Sequence, residues 1–146
     1  MEISFKDFND KFLPQKYSCI GEKLMPTIEI KKISDKTKSL ALIIDDPDAV
    51  NNKTFVHMIL FNIDSNEKFI NESTKGIYGL NDLNELNYCP PCPPKNSGTH
   101  RYFFKVYALD KVLNLDKRCT KKDLIASMEN HIIEKKELVA LFSQDQ

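Results

Sequence analysis

Two long, continuously apolar runs constrain the fold of this chain more than any other feature. They are Ser39 to Ile44 and Thr54 to Ile63. Neither run alternates apolar with polar residues, as a strand with one solvent-exposed face does, so both are predicted to be strands buried on two sides. His100 to Leu109 is predicted as another strand, and the alternating segment Pro26 to Ile33 as a half-buried one. We expect these four strands to form the core sheet of a mainly β protein.

A single long helix is predicted after Thr120. Between Thr120 and Phe142, apolar residues recur at helical spacing, namely Leu124, Ile125, Met128, Ile132, Ile133 and Val139. Thr120 and Asp123 have the spacing of a capping box that begins this helix. The stretch between Ile63 and Tyr88 has little periodicity and is predicted to be a loop.

Length and charge limit the classes of function. A chain of 146 residues fits one domain, 1–146. The 21 Lys and Arg residues balance 21 Asp and Glu residues, so no overall field favours nucleic acid or an anionic membrane. The first residues lack the pattern of a signal peptide, and the longest nearly uncharged stretch is too short to span a membrane. We therefore expect a cytoplasmic protein with no nucleic-acid partner and no membrane span.

The four cysteines do not favour a metal site. Cys89 and Cys92 have CxxC spacing, but no second CxxC pair completes a zinc site. We expect all four cysteines to be free thiols in a reducing compartment, with no metal and no cofactor.

Three polar residues adjoin or interrupt the apolar strands. Asp46 follows the first run, His57 lies within the second, and His100 begins the third directly after the proline-rich segment that starts at Pro90. Each one alone is typical of a structural residue. If their strands are neighbours, two imidazoles and a carboxylate would converge, and such a group can bind a phosphate. The same set also matches a facial metal triad, and spacing alone does not separate these alternatives.

The motifs around these residues resemble one family. DDPDA at 45–49, FVHMILFNI at 55–63 and CPPKNSGTHRYFFKVYALD at 92–110 resemble the phosphatidylethanolamine-binding protein family, which includes Raf kinase inhibitor protein. YSCIGEKLMPTIEI at 17–30 is similar to the family's opening segment, and ENHIIEKKELV at 129–139 to the terminal helix of its prokaryotic members. The chain departs from prokaryotic members at Cys89 and Pro90, where glycines are usual.

The resemblance implies a fold and a ligand site. The fold would have a large antiparallel central sheet, a smaller second sheet and a few peripheral helices. Arg101 would point away from the pocket, and we hypothesise that it pairs with Asp48. The positions that carry over to the implied anion pocket are Asp46, Phe55, His57, Pro93, Pro94, His100 and Tyr102.

The expected function is non-catalytic binding of a small anion, such as phosphate, a phospholipid head group or a nucleotide phosphate. Regulatory docking to a partner protein and homodimer formation are further expectations from the resemblance. The alternative is a kinase or protease inhibitor that acts through a surface loop. A hydrolase with His57 or His100 as base and Asp46 as its orienting residue would need a nucleophile, and the sequence contains no GxSxG motif.

Overall fold

A computed structural model describes residues 1–145 of the chain. Most of the regular structure is β, as predicted, and within the described residues no helix is both long and apolar enough to cross a membrane. The elements are β1 (Glu2–Phe5), β2 (Ile28–Lys31), β3 (Ser39–Asp46), β4 (Phe55–Asp64), β5 (Phe69–Ile70), β6 (Ile77–Tyr78), β7 (His100–Leu109), α1 (Lys121–Met128) and β8 (Ile132–Phe142).

The larger sheet has five antiparallel strands in the order β6-β4-β3-β7-β8. Strand β3 lies in the middle, and all eight of its residues are buried. This confirms the interpretation of the apolar runs as central strands, because a strand that is buried on both faces carries apolar residues on both.

The smaller sheet has three antiparallel strands in the order β1-β2-β5. The prediction that Pro26 to Ile33 belongs to the core sheet was therefore wrong, since β2 lies in this second sheet. Alternation shows that one face of a strand is buried but not which sheet the strand joins. The two sheets enclose the main apolar core, which includes Ile28, Ile30, Leu42, Ile44, Met58 and Phe104.

The C-terminal region is mostly a strand, which corrects the predicted long helix. Helix α1 begins with the expected capping box at Thr120 and Asp123, but it ends at Met128. Asn130 then adopts a left-handed conformation with φ of 69°, which terminates a helix. The following β8 pairs with β7 along its whole length, so the segment at 129–139 is no terminal helix. Its buried residues Ala140 and Phe142 alternate at the period of a strand.

The predicted loop between Ile63 and Tyr88 contains two short strands. Strand β5 completes the smaller sheet, and β6 pairs with β4 at the edge of the larger one. Each has two residues, too few to show a periodic pattern in the sequence. The remainder of this stretch is irregular, as predicted.

A disulfide joins Cys19 to Cys92, with 5.3 Å between their Cα atoms, so the expectation of four free thiols was wrong. Beside the disulfide, the Cys19 N–H donates a 3.0 Å hydrogen bond to the Pro91 carbonyl and so joins the same two segments. Cys89 and Cys119 remain free thiols. The CxxC spacing of Cys89 and Cys92 did not indicate that Cys92 pairs with Cys19, which lies 73 residues away in sequence.

Candidate functional site

A cavity of about 310 Å³ opens at one end of the larger sheet, and we call it the His57 cavity. All seven residues predicted for the ligand site line it, namely Asp46, Phe55, His57, Pro93, Pro94, His100 and Tyr102. They come from the end of β3, the beginnings of β4 and β7, and the proline segment that precedes β7. The remaining lining residues, which were not among the predicted site residues, are Ala49, Val50, Leu83, Cys89, Pro90 and Cys92.

A β-bulge directs His57 into this cavity. Ile44 pairs with Met58, but the next residue of β3, Asp45, pairs with Val56. One step along β3 therefore matches two steps along β4, and His57 is the extra residue. Regular alternation would place His57 on the opposite face, with Ile59, which packs on the helix side of the sheet. The cavity thus depends on an irregularity in the ladder.

Neighbouring carboxylates of β3 face opposite sides of the sheet. Asp46 lines the His57 cavity. Asp45 lies on the other face, where its Oδ2 accepts hydrogen bonds from Lys105 at 2.9 Å and Lys121 at 2.8 Å. Asp45 is thus a buried structural carboxylate that is neutralised by lysines, and the acid available to the cavity is Asp46.

Asp46 and His100 form a buried pair, and each residue is 3% exposed. The Nδ1 of His100 lies 2.8 Å from Asp46 Oδ2, while Asp46 Oδ1 accepts a 2.7 Å hydrogen bond from the Asp48 N–H. On the other side of the ring, His100 Nε2 lies 3.0 Å from the Ser97 hydroxyl. Both nitrogens of His100 are therefore engaged within the protein, so this ring is held in a fixed orientation.

His57 differs from His100 because one of its nitrogens has no hydrogen-bond partner among residues 1–145. Its Nδ1 lies 2.6 Å from the Cys89 carbonyl, and the Cys89 N–H donates back to the His57 carbonyl at 2.9 Å. A carbonyl only accepts, so Nδ1 carries the proton. Burial lowers the pKa of His57, against smaller opposing effects of the Cys89 carbonyl and the Asp46 carboxylate. At neutral pH the ring is neutral, and Nε2 offers a lone pair.

Tyr102 stands between the two histidines. Its ring centroid lies 5.3 Å from that of His57 in an edge-on arrangement and 6.3 Å from that of His100 in a stacked one. Burial, followed by the nearby Asp46 charge, raises the pKa of Tyr102 well above its ordinary value, so the phenol stays protonated. No partner for its hydroxyl is found among residues 1–145, and this group can therefore donate to a ligand.

The mouth of the cavity is apolar. Val50 and Leu83 line the cavity although they are 58% and 54% exposed, which places two apolar side chains at its opening. Phe55 packs edge-on against His57 with 4.8 Å between ring centroids. The loop that carries Leu83 is anchored by Asp82, whose carboxylate accepts a 2.7 Å hydrogen bond from the Val56 N–H. A ligand with an apolar part would contact this rim.

Arg101 points away from the cavity and pairs with Asp48, as hypothesised. Its Nε and Nη2 each donate a 2.9 Å hydrogen bond to the Asp48 carboxylate. The guanidinium lowers the pKa of Asp48, because its hydrogen bonds favour the ionised carboxylate. The pair lies at the surface beside the turn that supports Asp46.

The segment from Pro90 to Pro94, which we call the proline wall, is attached to two distant segments. The disulfide at Cys92 ties it to Cys19, and the Gln144 side-chain amide donates a 2.7 Å hydrogen bond to the Pro93 carbonyl. The sequence carries no local signal for either contact. Within residues 1–145, no cluster of three His, Cys, Asp or Glu side chains has the geometry of a metal site.

Comparison with known proteins gives consistent matches. A family model described as phosphatidylethanolamine-binding protein matches residues 4–143. A UPF0098 protein of Pyrococcus horikoshii is 40% identical over 153 residues, which covers 99% of this chain and 77% of that protein. The crystal structure of a phosphatidylethanolamine-binding protein homologue from Chlamydia trachomatis superposes with a TM-score of 0.90 at 34% identity, covering 98% of this chain and 97% of that one. The E. coli protein YbcL has the same fold, with a TM-score of 0.86 at 20% identity and 97% coverage of both chains.

Proposed function

Because this chain belongs to the phosphatidylethanolamine-binding protein family, we propose that it binds a small phosphate-bearing ligand in the His57 cavity and releases it unchanged. One observation carries the proposal. In a largely apolar cavity, His57 Nε2 and the Tyr102 hydroxyl are the polar side-chain groups for which the described residues provide no partner, whereas both nitrogens of His100 are engaged.

The two free groups suit a singly protonated phosphate. The lone pair of neutral His57 accepts a hydrogen bond from the P–OH group, and the Tyr102 hydroxyl donates one to a P–O oxygen. A phosphate monoester supplies both partners at once. Its apolar part, such as the base of a nucleoside monophosphate, would contact Val50 and Leu83 at the mouth.

Proton uptake is an expected consequence of this arrangement. A fully ionised phosphate offers no donor to the lone pair of His57, and the buried Asp46 carboxylate repels it. The complex therefore needs one additional proton, on the phosphate or on His57. Binding of the dianion takes that proton from solution, so affinity decreases as pH rises.

Histidine NMR tests the proposal directly. We expect the ring signals of His57 to shift and saturate when inorganic phosphate, phosphorylethanolamine or a nucleoside monophosphate is added. Tyr102→Phe should weaken binding by roughly tenfold, since a hydrogen bond to a charged group contributes about 1.5 kcal/mol. Tyr107→Phe is the matched control, because Tyr107 packs on the opposite face of the sheet.

Two results would overturn the proposed site. One is the absence of any His57 response to all three phosphate compounds. The other is binding that Tyr102→Phe and Tyr107→Phe leave equally strong. Docking to a kinase, a protease or another regulatory partner, homodimer formation, the cytoplasmic location and the single domain stay predictions.

A further inference from the structure

Ser97, which no sequence motif singled out, lies in hydrogen-bonding contact with His100. Ser97 Oγ is 3.0 Å from His100 Nε2, and His100 Nδ1 is 2.8 Å from Asp46 Oδ2. Such a chain of hydroxyl, imidazole and carboxylate is recognised by geometry, not by order in the sequence. We propose that Ser97 accepts an acyl group from small activated esters, with His100 as its general base. The activity goes beyond ligand binding, and we call these three residues the Ser97 relay.

The two inner members of the relay are held firmly. Asp46 and His100 are buried, and the second oxygen of Asp46 is held by the Asp48 N–H. The carboxylate accepts from Nδ1 of His100, which places the ring proton on that nitrogen and turns the Nε2 lone pair toward Ser97. Ser97 itself is exposed on the turn that follows the proline wall, so a substrate can reach its oxygen from solvent.

The Pro94 carbonyl is a competing acceptor for the same hydroxyl. It lies 2.6 Å from Ser97 Oγ, closer than His100 Nε2. A hydroxyl has one proton, so Ser97 is activated only while that proton points to His100. We therefore expect slow attack that requires a good leaving group.

The acyl transfer uses groups that are present in the relay. Ser97 Oγ forms a bond to the ester carbonyl carbon, the π electrons of the carbonyl move to its oxygen, and the hydroxyl proton passes to His100 Nε2. When the tetrahedral intermediate collapses, the ester C–O bond breaks and the leaving oxygen takes the proton from Nε2. A water molecule then gives a proton to His100 Nε2 while its oxygen bonds to the acyl carbon. The bond between that carbon and Ser97 Oγ breaks, Oγ takes the proton from Nε2, and the acid leaves.

Gly98 provides a candidate donor for the oxyanion. The N–H of the residue after the nucleophile serves this role in many hydrolases. No acceptor for the Gly98 N–H is found within residues 1–145. Gly98 has φ of +81°, and no heavy atom lies within 4 Å of where a Cβ would stand, so the approach to this turn is open.

A fluorophosphonate probe followed by peptide mass spectrometry tests the proposal on the intact protein. The probe traps an activated serine, because the serine oxygen bonds to phosphorus and fluoride leaves. We expect Ser97 to be labelled at least roughly tenfold faster than Ser73, an exposed serine with no histidine partner. Asp46→Asn should reduce labelling of Ser97 by a similar factor, because the amide oxygen accepts from the Asp48 N–H and the NH2 group then faces His100 Nδ1, which reverses the tautomer of His100.

A thiol variant provides a second test that does not depend on mutating the buried pair. In Ser97→Cys, Nε2 of His100 should draw the thiol proton, so the introduced cysteine should react with iodoacetamide near neutral pH several-fold faster than the cysteine of Ser73→Cys. Equal rates for the two cysteines, or equal fluorophosphonate labelling of Ser97 and Ser73, would overturn the proposal. Ser97 would then only orient His100.

Discussion

Removing the disulfide between Cys19 and Cys92 is expected to destabilise the fold by several kcal/mol. The bond joins residues separated by 73 positions and thereby restricts the unfolded chain. For a loop of that length, the chain-entropy relation gives about 4.4 kcal/mol at 25 °C. Measured losses commonly fall somewhat lower, so we expect the double substitution of both cysteines by serine to lower the free energy of unfolding by about 3–4 kcal/mol.

Urea unfolding followed by circular dichroism measures this loss. Wild type should lose about the same free energy when a reductant is added, whereas the double variant should not respond to the reductant. Cys89→Ser is the matched control, because this half-buried thiol lines the same cavity but forms no disulfide. If the double variant lies within about 1 kcal/mol of wild type, the loop-closure argument fails for this chain.

Three further outcomes follow from single contacts. Calorimetry should show that the affinity for a phosphate monoester decreases by up to about tenfold per pH unit above about pH 6, because the ligand becomes a dianion there. About one proton should be taken up per ligand bound. An affinity that does not depend on pH would contradict the lone-pair assignment of His57. Thr120→Ala should lower the free energy of unfolding by about 1 kcal/mol, as judged by urea titration, because it removes the side-chain cap of α1. Arg101→Met should raise the pKa of Asp48 toward its ordinary value, because the guanidinium lowers this pKa in the wild-type protein, and carboxyl NMR measures the change. An unchanged pKa would show that Arg101 does not affect the ionisation of Asp48.

The buried strands could be predicted because their signal is local. β3 and β4 contain the two apolar runs, and β7 has the predicted bounds, His100–Leu109. The capping box at Thr120 and Asp123 is likewise a short-range pattern and was predicted from spacing alone. A pattern contained within a few residues needs no information about distant partners.

The C-terminal strand shows where local patterns stop being sufficient. The apolar residues between Thr120 and Phe142 satisfy helical spacing, yet β7 presents a free edge whose backbone groups need partners. Pairing with β8 satisfies those groups along ten residues of β7, and the left-handed Asn130 separates helix from strand. The tertiary partner thus overrode the local preference.

The sequence alone determined the buried strands, the family and seven of the residues that line the His57 cavity. Only the tertiary structure decided which way those residues face and what holds them. The bulge at His57, the bond between Cys19 and Cys92 and the contact of Ser97 with His100 each depend on neighbours in space. The physical reason is that chain periodicity reports burial, whereas hydrogen-bond register and side-chain pairing arise only when segments distant in sequence pack together.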